Sequence, residues 1–446
     1  MSAKYQAYAE YKDSGVEWLG GVPEQWKIYD GKRVFKNRRE LSLVSDEQLA
    51  ASQKYGVVPQ YLMMKLNDSK VMLALKGTSS FRHVEKNDFV ISLRSFEGGI
   101  EHSNYGGCVS PAYTVLSATK DIAPMFYRYL FKSKPYISAL QSTTDSLRDG
   151  KSITFEQFGA IPLVLPEVVE QEIIANFLDH ETAKIDTLIE KQQLLIKLLK
   201  EKRQAVISHA VTKGLNPNAP LRDSGVEWLW EVPEHWGVSS LGYYAQISTG
   251  ATPDRTKANY WGGDIPWIKT GEVRYHEIFE TEEYITAAAV ANSSTKISPA
   301  GTLLMAMYGQ GITRGRVALL AVPSTYNQAC AAITPNAKVW NQYLRYFFMA
   351  AYHAIRDGGN ETSQMNLNAD IVSKFKIVIP DLETQYQIVD YLNEKLKDFD
   401  VLLLKAESAI ELMQERRTAL ISAAVTGKID VRNWQAPNSE NKAISA

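Results

Sequence analysis

The chain has 446 residues, 45% of them hydrophobic and 22% charged, with 49 Lys and Arg against 50 Asp and Glu for a net charge of −1. That length suits about three units of roughly 150 residues, and the composition excludes wholesale disorder and a globally basic nucleic-acid coat, so any basic binding face is local. No apolar run reaches the ~18 residues needed to span a bilayer, and the first fifteen residues lack the apolar stretch of a signal peptide. Cys108 and Cys330 are too few and too far apart for a disulfide framework or a cysteine zinc site. The expectation is a cytoplasmic protein with two buried, reduced thiols.

In chain order, residues 1–26 carry Asp13-Ser-Gly-Val-Glu-Trp-Leu19, then Val-Pro-Glu-x-Trp ending at Trp26. Residues 27–163 form a first variable domain. Phe89-Val-Ile-Ser-Leu93 and Tyr113-Thr-Val-Leu116, with glycines at 98, 99, 106 and 107, predict short strands joined by polar loops, and Pro124–Leu140 predicts one aromatic-rich helix. Residues 164–214 hold no proline or glycine between Pro166 and Gly214, which predicts a single long helix. Residues 215–238 repeat the opening element as Asp223–Leu229 and Val-Pro-Glu-x-Trp ending at Trp236. Residues 239–378 form a second variable domain with strand candidates Ile265-Pro-Trp-Ile268, Gly301–Met307 and Arg316–Val322, and one helix candidate, Trp340–Ile355. Residues 379–427 predict a second long helix that follows Pro380, is capped by Asp381 and ends at Gly427, and residues 428–446 are a tail. Some 45 residues at 1.5 Å each make each helix a rod of about 70 Å.

Alternating steps of three and four predict a coiled-coil seam in both rods. In the first it runs through Leu178, Ile185, Leu188, Leu195, Leu199 and Val206, with Glu181, Gln192 and Lys202 in polar seam positions. In the second it runs through Leu392, Phe399, Leu402, Ala406, Ala409, Met413, Leu420 and Ala423, with Lys395 and Arg416. Apolar residues spill to Ile189, Ile196, Leu198 and Leu403, widening the stripe beyond what two helices need. These four are the candidate partner-binding positions.

The repetition organises the chain. Residues 13–28 agree with 223–238 at eleven of sixteen positions, and 200–212 agree with 414–426 at eight of thirteen, whereas the variable domains resemble each other far less. A shared frame with different contents points to one fold carrying two surfaces. Candidate phosphate or base contacts in the first are Lys32, Arg33, Lys36, Arg38, Arg39, Arg82, His83, Arg94 and Arg148. In the second they are Lys269, Thr270, Arg274, Gln310, Arg314, Arg316, Asn327 and Gln328. Arginine engages guanine and Asn or Gln engages adenine through two bonds, while Lys, Ser and Thr serve phosphates. The loop Gly309-Gln-Gly-Ile-Thr-Arg-Gly-Arg316 is the sharpest candidate, because its glycines permit close backbone approach. Catalytic signatures are missing: no phosphate-binding G-x-x-x-x-G-K-[ST], no H-E-x-x-H, no G-x-S-x-G, no paired CxxC and no Asn-Pro-Pro-Tyr.

The twice-used Asp-Ser-Gly-Val-Glu-Trp-Leu-x-x-Val-Pro-x-x-Trp element, with the Arg-x-Ala-x-Ile-Ser-x-Ala-Val-Thr helix endings, resembles the DNA specificity subunits of type I restriction-modification systems. Thr249-Gly-Ala-Thr-Pro253 through Tyr260-Trp-Gly-Gly-Asp-Ile-Pro-Trp-Ile-Lys269 is similar to the opening of that family's target recognition domains. The resemblance implies an α+β chain of two target recognition domains related by a pseudo-twofold repeat and separated by two long antiparallel coiled-coil helices. It also implies a non-catalytic subunit in which each domain reads one half of a bipartite, asymmetric double-stranded DNA site. The helices would set the spacing and dock two methyltransferase subunits, with restriction subunits (ATP-dependent motor nucleases) joining the assembly. S-adenosylmethionine, ATP and Mg are then expected in the partner subunits and none in this chain. The alternatives are a stand-alone two-domain DNA-binding scaffold or repressor, and an enzyme with a site around His276 or His83.

Overall fold

A computed structural model describes residues 5–67, 78–143, 153–309, 312–357 and 367–436. The chain divides into two compact units, Met1–Gln192 with Ser408–Ala446, and Gln193–Glu407. Each contains one copy of the repeated segment, one variable domain of mixed strands and helices, and part of each long helix.

In the first unit, the strands that position the candidate residues are β1 (Phe35–Arg38), β2 (Arg82–Val84), β3 (Phe89–Ile91), β4 (Glu101–His102), β5 (Gly107–Val109) and β6 (Thr114–Ala118). β1, β6, β3 and β4 form an antiparallel sheet in that order, and β2 pairs with β5. Phe35 anchors an aromatic core, with ring centroids 5.6, 5.2 and 5.5 Å from Phe89, Tyr127 and Phe131. The helix expected over Pro124–Leu140 is two helices, Pro124–Lys132 and Lys134–Ser142. Ser133 takes extended backbone between them, and Pro135 lies in the first turn of the second, where its missing N–H costs nothing.

In the second unit, the corresponding strands are β7 (Ala245–Thr249), β8 (Trp261–Ile268), β9 (Glu277–Ile278), β10 (Leu303–Ala306), β11 (Val317–Leu320) and β12 (Cys330–Pro335). A five-stranded sheet runs β7-β12-β10-β11-β9, antiparallel except for the parallel β11–β9 pair. β10 and β11 are buried along their whole length, which is why they read as continuous apolar runs rather than alternating ones. Here too the expected helix, Trp340–Ile355, is two: Asn341–Ala350 and Tyr352–Asp357. At Ala351 between them a ψ of 4° opens the turn.

The two rods are continuous helices, the central helix Val168–Lys213 and the distal helix Leu382–Val425. Asp381 caps the distal helix as expected, its Oδ1 accepting the Thr384 N–H at 2.9 Å. Both rods end on a left-handed glycine, Gly214 at φ 77° and Gly427 at φ 72°. A fully buried glutamine at matching positions ties each rod to its domain. Gln171 accepts the Ala123 N–H at 2.9 Å and donates to the Pro166 carbonyl, and Gln385 accepts the Trp340 N–H at 2.8 Å and donates to the Pro380 carbonyl.

The seam differs from the expectation by one residue in alternate positions. Ile185, Gln192, Leu199 and Val206 face inward as expected, but the positions between them are Ile189, Ile196 and Arg203, not Leu188, Leu195 and Lys202. The distal helix shows the same offset at two positions, with Leu403 and Arg417 turned inward in place of Leu402 and Arg416, while Ala409 and Ile410 are both half-buried. Where apolar residues stand at both the third and fourth steps, periodicity alone leaves two registers, and an ion pair selects one. In the first unit Arg417 donates to both oxygens of Asp186, at 2.8 and 3.2 Å. The rods run in opposite directions there, since past the distal helix Trp434 returns to Phe177 and His180, earlier on the central helix than Asp186.

The repeated segments fold alike. Asp13 and Asp223 each accept the N–H of the glycine two residues on, at 3.0 and 2.9 Å, and those glycines, Gly15 and Gly225, are left-handed. Trp26 and Trp236 are buried, each against a rod-ending glycine, Gly427 and Gly214 respectively, where a Cβ would crowd the indole. In the first unit Tyr8 and Trp26 both donate to Glu170 Oε1, at 2.7 and 2.9 Å, holding the opening segment on the central helix.

Candidate nucleic-acid interface

Strand topology gathers the second domain's candidates. Thr249 pairs with Ala331 and Ala306 with Cys330, while Met305 pairs with Val317, so the end of β7, the start of β12 and the β10–β11 turn share one end of the five-stranded sheet. The Tyr275 N–H donates to the Val317 carbonyl, bringing Arg274 and His276 to the same end. β8 runs parallel to Thr325–Tyr326, and the Asn327 N–H donates to the Ile268 carbonyl, which places Lys269 and Thr270 beside Asn327 and Gln328. Lys269, Thr270, Arg274, Arg314, Arg316, Asn327 and Gln328 therefore converge, although the first and last are 59 positions apart. Gln310 lies outside the described residues.

These side chains are held rather than loose. Lys269 Nζ pairs with Glu282 and Glu283 at 2.8 and 3.0 Å, hydrogen bonds that raise the lysine above its ordinary range. Arg274 Nε donates to the Gly271 carbonyl at 2.6 Å, Arg314 to the Arg356 carbonyl at 2.9 Å, and Gln328 accepts from the Thr252 hydroxyl. Arg316 lies 5.7 Å over the Tyr275 ring, whose backbone is left-handed at φ 73°. Sequence reasoning passed over Arg255, which lies 3.8 Å over Trp261 and 4.9 Å over Trp267 and pairs with Glu283 at 2.5 Å. The two tryptophans between Tyr260 and Lys269 were the signal for it, since a stacked guanidinium needs such faces.

In the first domain the candidates group around the β1 terminus. Arg82 donates to the Arg39 carbonyl at 3.1 Å, the His83 N–H to the Glu40 carbonyl, and His83 Nδ1 lies 2.8 Å from Asp46 Oδ2. Arg39 and Arg94 are exposed, and the pairings Arg38–Val115 and Ile91–Thr114 put them at one end of the sheet. Lys32, Arg33 and Lys36 are also exposed, and Arg148 lies outside the described residues. Arg38 is a correction. It is 9% exposed and donates to Asp88, Glu85 and Glu40 at 2.8, 2.5 and 3.0 Å, so it braces the sheet.

The partner-binding candidates also resolve. Ile189, Ile196 and Leu403 are half-buried in the seam, while Leu198 is exposed. Other exposed apolar residues of the rods are Val169, Leu188, Leu194 and Leu195 on the central helix and Leu382, Tyr386, Val401, Leu402, Leu404 and Leu412 on the distal one. Among the described residues, no three His, Cys, Asp or Glu are placed to hold a metal ion, and no helix is long and apolar enough to cross a membrane. Both cysteines are buried and free, and burial pushes their thiols up.

Residues 23–198 and 233–411 match the type I restriction modification DNA specificity domain. A specificity subunit of the MjaIX type I restriction enzyme of Methanocaldococcus jannaschii is 30% identical over 42% of this chain and 43% of its own length. That of EcoR124I/EcoR124II from Escherichia coli is 26% identical over 54% and 56%, so the chain matches about half the length of these two relatives. The MjaVIII specificity subunit is 23% identical over 95% and 98%. Among solved structures, a chain from work on assembly and conformational transition of the type I R-M system superposes with a TM-score of 0.71 at 15% identity, covering 92% of this chain and 99% of that one. The HsdS subunit from Thermoanaerobacter tengcongensis gives 0.57 at 17% identity, covering 92% and 98%. With one matching domain in each half and that fold in common, the chain belongs to the type I restriction modification DNA specificity domain family.

Proposed function

We propose that this chain is the DNA-recognition subunit of a type I restriction-modification complex, each variable domain reading one half of a bipartite, asymmetric double-stranded site. The observation that carries the reading is the convergence of Lys269, Thr270, Arg274, Arg314, Arg316, Asn327 and Gln328 at one sheet end of a matching specificity domain. Arg39, Arg82, His83 and Arg94 play that part in the first domain. Phosphate contacts set position and salt dependence, and base-edge contacts set sequence. Because the two sets differ, the half-sites differ.

The exposed leucines of the rods, Leu188, Leu194, Leu195 and Leu198 with Leu402 and Leu404, are the surface for two methyltransferase subunits, and restriction subunits join through that assembly. Catalysis resides in those partners, which bind S-adenosylmethionine, ATP and Mg. The test is base-resolution mapping of methylated adenine in cells expressing the cognate methyltransferase with and without this chain. A split, asymmetric motif that requires the chain is expected, and exchanging residues 239–378 for another member's second domain should change one half-site. Methylation indifferent to the chain, with an active methyltransferase, would favour a free DNA-binding scaffold instead.

A further inference from the structure

The second unit contains a cavity of about 590 Å³ where its variable domain meets both rods. Four cations from four separate elements line it: Arg203 on the central helix, Arg274 before β9, Arg345 on the domain's aromatic helix and Lys397 on the distal helix. Acids are present but not close. Asp400 stands 3.7 Å from Arg203 Nε and Glu277 3.9 Å from Arg345 Nη1, both beyond hydrogen-bond length. The Nε atoms of Arg203 and Arg345 are buried with no acceptor. Four cations against the single lining carboxylate Asp400, which lies beyond hydrogen-bond length of Arg203, leave the cavity net positive, a lining that an anion completes.

The repeat supplies the control. In the first unit the equivalent of Arg203 is Arg417, and Asp186, the counterpart of Asp400, accepts two hydrogen bonds from it, so the same pair is closed there and open at 3.7 Å in the second unit. Asn393 and Lys397 of the second unit stand where the first has Asp179 and Ala183. Asp179 accepts the Tyr129 hydroxyl as Asn393 accepts that of Tyr346, so the frame is kept while the lining loses one negative charge and gains one positive charge. We propose that this cavity is a phosphate-binding site, accepting a phosphate mono- or diester between the guanidinium groups of Arg203 and Arg345 with Lys397 at the rim. Planar guanidinium forks match tetrahedral oxyanions in geometry and charge. The assignment does not depend on the base-reading role of the domains. The phosphate comes either from a DNA backbone or from a free phosphate compound.

The full-length chain decides it. Thermal unfolding is followed in inorganic phosphate against chloride at matched ionic strength, for wild type, K397Q and R345Q. Lys397 is exposed, so K397Q folds even where R345Q does not. In parallel, binding to a random-sequence duplex is measured across salt concentrations. Phosphate should raise the midpoint of the wild type, and its apparent affinity should fall about tenfold in K397Q. A duplex phosphate in the cavity lowers the salt slope of K397Q by about 0.9, one contact's worth, with or without a response to free phosphate. A lost phosphate response with an unchanged slope assigns the site to a free phosphate compound. Wild type and K397Q alike in both measurements would overturn the proposal.

Discussion

Replacing Ile189 and Leu188 separately by alanine tests the seam register, because the two are adjacent in sequence and opposite in role. Ile189 packs on the first unit's core, which includes Leu420 and Ile421 of the distal helix, whereas Leu188 is 51% exposed. A fully buried Ile→Ala change costs about 2–5 kcal/mol. Ile189 is half-buried, so I189A should cost about 1–2 kcal/mol. L188A removes surface already in contact with water, and alanine's better helix propensity returns a few tenths, so its cost should be under about 0.5 kcal/mol. Urea unfolding of the full chain followed by far-UV dichroism measures both, with an unchanged m-value showing that the same surface is exposed. If L188A proved as costly as I189A, Leu188 would be the inward residue, and the assignment of exposed leucines to partner docking would fall with the register.

E170A removes the shared acceptor of the buried Tyr8 hydroxyl and Trp26 indole; it should cost about 2–4 kcal/mol, and E170Q, which keeps an acceptor oxygen, clearly less by the same urea titration. R314A should weaken specific DNA binding by about 1–3 kcal/mol and relax one position of a single half-site in methylation mapping. An unchanged motif and affinity would remove Arg314 from the reading surface.

What the sequence made legible follows from which interactions are local. Caps and helix ends depend on neighbouring residues, so Pro166, Asp381, Gly214 and Gly427 bounded the rods within a residue or two. The seam register depends on what faces each rod, and the Leu-Ile pairs at 188–189 and 195–196 satisfy either choice until Arg417 meets Asp186. Arg38 misled for a similar reason. Its acids, Asp88 and Glu85, are some fifty residues away, and only the pairing of β1 with β6, and of β6 with β3, brings them together. The split aromatic helices were half legible, since Pro135 marks the first break while nothing in the sequence of Ala351 marks the second. Convergence of the second-domain candidates was invisible, because it depends on a sheet order that crosses the chain.

The two residues of β4 carry opposite protonation demands, and they make a prediction about pH. Burial raises the Glu101 carboxyl to about 7 against the pull of Lys132, to which it is hydrogen-bonded, and of Arg128. Burial lowers the His102 imidazole to about 4, with Arg128 and Lys86 acting the same way, and its Nε2 lies 3.2 Å from Asn87 Oδ1. Glu101's folded value lies above its ordinary 4.5, so its contribution to stability is present below that value and lost as pH rises through about 7. His102's folded value lies below its ordinary 6.5, so its contribution is present above that value and lost as pH falls through about 4. Between these limits the folded unit holds one extra proton at Glu101 and one fewer at His102 than the unfolded chain, and the two slopes cancel. E101Q leaves His102 uncompensated, and stability should then fall by about 3 kcal/mol relative to wild type on acidification from pH 6.5 to 4. H102Q should reverse the sign, losing stability as pH rises from 4.5 to 7. Urea midpoints across this range check both, and an E101Q profile parallel to that of wild type would show that the two groups do not offset one another.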